Sequence, residues 1–303
     1  MKSIFTWLFF TLYAYSNVWA QDDLLKLIGE DDSGREKVSA TFKATRVINA
    51  QTNETVKKRD LDFNIAHRFG NVGIQSSGGS HTLWGFDNAS NIRFSFAYGI
   101  TDKLQIGIGR SKTREHIDGS VKYKLLEQTT GNQIPVSITL FSNAAFIPER
   151  NINDRYQRLD HRLSYVHEII IARKFSNKFS LAVLPVFLHR NLVDSIVNSS
   201  NNAAETNDIF SLGLAGRIKI TNRTILVADY FYNFSDFRRN NPETPYYNPL
   251  SVGVEIETGG HVFHINLSNS SGIIENDFIP DTRESWRKGG YKFGFNISRV
   301  FNI

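Results

Sequence analysis

The 303-residue sequence contains no cysteine. That absence excludes disulfides, thiolate metal sites, cysteine nucleophiles and a lipid-modified N-terminal cysteine. Long hydrophobic runs are also missing: beyond the N-terminus no apolar stretch approaches the ~18 residues that a helical span needs. With a mean hydropathy of −0.29, a membrane protein built from several helices is excluded. A strong excess of one sign of charge is missing as well. The net charge is +5, spread along the chain, without the clustering on one face that nucleic-acid binding requires, so no nucleic-acid partner is expected. Methionine occurs once, against 23 Phe and 11 Tyr. Aromatic side chains suit a pleated surface, so this bias points to strands.

Residues 1–20 (MKSIFTWLFFTLYAYSNVWA) read as an export signal. Lys2 supplies the positive region, Ile4 to Tyr13 a short apolar core, and Val18-Trp19-Ala20 a cleavage site. The expectation is cleavage near Ala20, then a periplasmic leader over 21–60 with one strand-like segment at 38–50.

From Leu61 onward apolar and polar residues alternate with period two, the strand period. Ile92-Phe94-Phe96-Tyr98 interleave with Arg93, Ser95 and Ala97, and Leu250-Val252-Val254-Ile256 with Ser251, Gly253 and Glu255. Four segments, 135–147, 161–175, 179–192 and 224–235, are apolar on both phases, which leaves their facing undetermined. Tight turns, as at Thr101-Asp102-Lys103, Ser176-Asn177-Lys178 and Thr221-Asn222-Arg223, alternate with longer polar loops. Short turns at one end and long loops at the other are the arrangement of outer-membrane barrels. The count from Leu61 predicts an all-β, antiparallel transmembrane β-barrel of twelve strands over 61–303; fourteen result if 38–50 and one more segment join. The last strand runs Tyr-x-Phe-x-Phe-x-Ile-x-Arg-x-Phe-x-Ile from Tyr291 to Ile303, the alternating aromatic pattern expected to engage barrel-assembly machinery. Outer-membrane lipid is the other expected partner.

Several stretches, among them ATFKATRVIN (40–49), YGITDKLQIGIGRS (98–111), RLSYVHEIIIARKFS (162–176), EIETGGHVFHINLSNSSGIIE (255–275) and KFGFNISRVF (292–301), resemble a family of outer-membrane β-barrels of Bacteroidota, the domain of unknown function 5777. The resemblance spans nearly all of the chain after residue 40. It implies a barrel in the outer membrane of a Gram-negative bacterium and transfers no catalytic residue.

If the regular apolar phase faces lipid, the opposite phase lines the lumen. Its candidates are Arg93, Lys122, Lys124, Arg217, Lys219, Asp229, Glu255, Glu257, His264, Asn266 and Lys292, with Asp62, Asn64 and Arg68 on the first strand. Acidic groups concentrate on late strands and basic ones on earlier strands, which predicts a transverse field in a narrow pore for small polar solutes. Twelve strands lie between filled ~8-stranded and open ~16-stranded barrels, so a plugged structural or interaction barrel is the alternative. Gly107, Gly109, Gly213, Gly253 and Gly294 argue for open space, and long charged side chains for closure. His264-x-Asn266-x-Ser268 carries the residue types of a membrane-embedded lipid hydrolase, but that phase faces inward, so no enzyme is expected. Gly107-x-Gly109 lacks the remaining features of a phosphate loop. No spacing suggests a metal site, no cofactor is implied, and His167 and His189 are expected in the core or an interface. The last long loop (Glu275, Asp277, Phe278, Asp281, Arg283, Glu284, Trp286, Arg287) is expected to fold over the mouth, with a ligand there as the less favoured use.

Overall fold

Alternating side chains force a choice in a membrane: every backbone N–H and C=O must be paired, so period-two segments survive in lipid only as a closed sheet. The computed structural model describes residues 36–303 except Gly259, and there the chain closes. The export-signal reading of residues 1–20 lies outside the described residues.

The barrel strands are β1 (Asp60–Asn71), β2 (Ala89–Gly99), β3 (Leu104–Ser111), β4 (Ile117–Leu126), β5 (Ser137–Phe146), β6 (Leu163–Lys174) and β7 (Phe179–Arg190), then β10 (Asp208–Lys219), β11 (Thr224–Phe234), β12 (Leu250–Glu257), β13 (His261–Ser268) and β14 (Lys292–Asn302). A two-residue ladder of β8 (Val197–Asn198) with β9 (Ala203–Ala204) sits in the loop after β7. Twelve strands form one closed antiparallel barrel in chain order. Closure comes from β1 on β14, with Leu61 opposite Phe301 and Ile65 opposite Ile297. The aromatic final strand thereby removes the last free edge.

Three of the short turns share one device. Thr101 Oγ1 accepts the backbone N–H groups of Lys103 and Leu104. Ser176 Oγ does so for Lys178 and Phe179, and Thr221 Oγ1 for Arg223 and Thr224. A hydroxyl at the turn's start thus takes the donors that leave the ladder. Phe94, Ile108, Phe210, Leu214, Leu226, Val252 and Ile265 stand exposed on the outer wall. An apolar surface of this extent fits a lipid solvent.

The segment 38–50 adds no strand to the barrel, so the count is twelve and not fourteen. Residues 41–56, expected within a periplasmic leader, instead lie largely buried inside the barrel, with Phe42, Val47, Ile48 and Ala50 at most 2% exposed. There they share one apolar cluster with Phe141, Val166, Ile170, Leu184, Leu188, Ile225, Phe231, Phe278 and Ile279. This explains the doubly apolar strands: one phase meets lipid, and the other meets a plug.

Candidate functional site: a filled lumen

The interior is occupied from both ends. From the short-turn end comes a tight hairpin. Val47 N–H donates to Ala50 O at 2.9 Å and Thr52 N–H to Thr45 O at 3.1 Å, which turns the chain at Ile48-Asn49. The turn aims three consecutive N–H groups, of Ile48, Asn49 and Ala50, at Asp229 Oδ2, at 3.3, 2.7 and 3.2 Å. Successive amides converging on one anion form a backbone nest, and here the anion belongs to the barrel wall. Asn49 fixes the tip further: its side-chain amide donates to Ser251 Oγ at 3.0 Å, and its Oδ1 accepts from Arg68 at 2.9 Å. Asn296 donates to Ile48 O at 2.9 Å. Four strands, β1, β11, β12 and β14, therefore grip three residues of the hairpin, Ile48, Asn49 and Ala50. Its stem is held by β3 and β4, where Lys122 Nζ donates to Thr45 O at 2.9 Å and Val56 N–H to Gln105 Oε1 at 2.9 Å.

From the long-loop end the chain after β13 turns inward through a single helical turn, Glu275–Phe278, which is buried throughout. Phe278 packs against Phe231 with ring centroids 4.8 Å apart and the rings tilted by 55°. The two plugs meet in the middle. Arg46 donates to Ile273 O at 3.0 Å and to Glu275 Oε2 at 3.3 Å, and Gln51 donates to Glu275 Oε1 at 3.2 Å. A residual space of about 50 Å³ remains beside Ser95, Ala97, Gly107 and Ser120, room for water but not for a solute.

The expected lumen residues fall into three groups. Arg93 makes two bonds to Asp118, one of them at 2.8 Å, and Asn143 donates to the same carboxylate at 3.0 Å. Arg217 bonds Glu255 at 3.1 Å and also Glu257, while His264 Nε2 lies 3.1 Å from Glu255. A second group serves the plug: Asp229 and Lys122 as above, and Lys124, 3.5 Å from Glu54. The third group has no such partner. Asn266 and the Lys292 ammonium are buried without a hydrogen bond to their side-chain polar atoms. Lys219 is only partly buried near the barrel's end.

Two expectations need correction. Charges do not oppose each other across the lumen: Arg93 pairs two strands away with Asp118 on β4, and Arg217 two strands away with Glu255 on β12. Acidic groups are not confined to late strands, since Asp118 and Glu168 lie on β4 and β6, and the two ion pairs are local to neighbouring parts of the wall. Three of the five glycines do not hold open space either. A Cβ at Gly109 would lie 2.1 Å from the Arg93 guanidinium, one at Gly213 2.5 Å from Phe231, and one at Gly294 2.8 Å from Arg68. Each makes room for a neighbour's long side chain. His264 and Ser268 are both buried inside, as expected of their phase, and Ser268 bonds Ser251 at 3.0 Å rather than the imidazole. That pair has neither the geometry nor the lipid access of a hydrolase.

His167 and His189 are on the outer wall and not in the core. Ser142 Oγ and His167 Nδ1, opposite one another on β5 and β6, are 3.0 Å apart. His189 meets Asp208 toward the long-loop end. Sequence reasoning missed the Ser142–His167 pair because strand register, which sets the two side by side, is not written locally. It missed Asp118 for another reason: its surroundings read as a polar loop, whereas β4 already begins at Ile117.

Over residues 42–301 the sequence matches a family described as a membrane-bound β-barrel domain, DUF5777. No curated protein matches it. Among solved structures it is similar to the NanC porin, with 9% identity and a TM-score of 0.48, over 80% of this chain and 99% of that one. The KdgM porin gives 8% identity and 0.45 over 80% and 99%. Outer-membrane protein Omp33 of Acinetobacter baumannii gives 10% and 0.39 over 83% and 100%. With the family match running from within the plug hairpin to the closing strand, the chain belongs to the membrane-bound β-barrel domain family DUF5777.

Proposed function

We propose that the protein is an outer-membrane β-barrel of a Gram-negative bacterium that rests closed and admits or binds small polar solutes at its long-loop, extracellular mouth. The observation that carries this reading is the hairpin tip seated on Asp229. A permanently structural filling needs only apolar contacts. This one is attached through a polar nest as well, and polar contacts can be exchanged for water when the lumen hydrates. The wall behind it is lined by Asp118, Lys122, Glu168, Asp229 and Glu255, groups that would face solvent and solute once the hairpin withdrew. The alternation of short turns with long loops supports an orientation with the turns in the periplasm and the loops outside.

Planar-bilayer conductance tests it. The full-length chain should be silent. Deleting 41–53 should produce steady unitary currents, and Glu255→Gln/Glu257→Gln in that background should lower its preference for cations. Steady current from the intact chain would overturn the resting-closed state. A silent deletion variant that still shows the heat-modifiable gel shift of a folded barrel would favour a plugged interaction barrel.

A further inference from the structure

At the long-loop end a cavity of about 210 Å³ lies between the β3–β4 connection and the loop after β13. Its lining includes Thr113, Arg114, Ser271, Asp277, Asp281 and Glu284. The rim is wet: the Arg114 and Asp281 side chains are 37% and 31% exposed. Deeper in, Asp277 is only 4% exposed, and neither of its carboxylate oxygens accepts a hydrogen bond. His116 Nδ1 approaches to 2.9 Å, but off the alignment a hydrogen bond requires, so the carboxylate's acceptor capacity stays unused. A buried carboxylate without donors is costly, and such sites call for a missing partner.

The charges around it say what that partner is. Arg114 bonds Asp281 at 3.2 Å, and Arg283, also at the cavity, bonds the other oxygen of Asp281. Both guanidinium groups are thus committed to one carboxylate. Glu284 accepts from Asn71 at 3.0 Å. The lining carries three acidic groups against two basic ones, and the acid without an aligned donor is the deepest. Thr113 and Ser271 add hydroxyls. Among the described residues no group of three or more His, Asp or Glu is arranged to hold a metal ion. The volume lies below that of a pocket for a drug-sized ligand.

We propose that this cavity binds a small hydroxylated amine of about monosaccharide size, its ammonium donating to Asp277 and its hydroxyls meeting Thr113, Ser271 and Glu284. The inference deepens the reading of the barrel as one that handles small polar solutes and rests on it. The test is calorimetric titration of glucosamine into the full chain in detergent, with glucose as the neutral counterpart. Saturable binding is expected, at least tenfold weaker for glucose and at least tenfold weaker again in Asp277→Asn. Absence of saturable binding, equal affinity for glucose, or unchanged affinity in Asp277→Asn overturns it. Should Asp277→Asn fail to fold, Thr113→Trp fills the cavity from a turn outside the barrel wall. Loss of binding there supports the site, and retained binding overturns it. The two readings fail separately. A conducting deletion variant in a protein that ignores glucosamine removes this inference alone, whereas a silent deletion variant in a protein that binds it removes the gated-passage reading alone.

Discussion

Asp229 on β11 accepts the backbone N–H of Asn49 at 2.7 Å, across 180 residues of chain. One wall carboxylate thereby decides where the N-terminal hairpin stops. Replacing it by alanine strands three buried donors, each worth roughly 1–3 kcal/mol when left unpaired. In Asp229→Ala the amides of 48–50 should exchange with deuterium about a hundredfold faster than in the parent, while those of β6 and β7 stay protected. Unchanged exchange at 48–50 would mean that the apolar contacts of Val47 and Ile48 hold the tip alone.

Arg93 and Asp118 are both almost fully buried, so removing one partner leaves an uncompensated charge at a cost of about 3–5 kcal/mol. Arg93→Met should lower the urea midpoint of the refolded barrel markedly. Arg93→Met/Asp118→Leu should recover part of the loss, because no charge is then left uncompensated and only the Asn143 amide loses its acceptor. Gly109→Ala should resemble the single variant, since its methyl takes the place of the guanidinium. A double variant as unstable as Arg93→Met would refute the charge argument.

The Ser142–His167 pair faces lipid, where an unpaired polar group has no water to turn to. Ser142→Ala should destabilise the barrel by roughly 1–2 kcal/mol, and Ser142→Ala/His167→Leu should restore the parent stability. The contact then serves mutual satisfaction. Hydrolysis of a phospholipid by the parent, lost in Ser142→Ala, would instead make the pair a catalytic dyad.

All twelve strands were legible in the sequence, because period-two alternation is local and survives without knowledge of neighbours. The edges of β7 and β11 fall within two residues of the expected 179–192 and 224–235. The plug was half legible. The double apolar phase of 161–175 and 179–192 recorded a second burial surface, yet nothing local in 38–50 names its partner. Its hydrogen bonds go to residues such as Asp229, Ser251 and Asn296, far along the chain.

The sequence by itself determined the barrel, since alternation, turn hydroxyls and an aromatic closing strand are each set by residues adjacent in the chain. Only the tertiary structure decided what the barrel contains. Whether Arg93 opens a pore or fills one depends on Asp118 two strands away, and whether Gly109 leaves space depends on Arg93. Those pairings come from register and closure, which bring distant residues together at distances that no local spacing encodes.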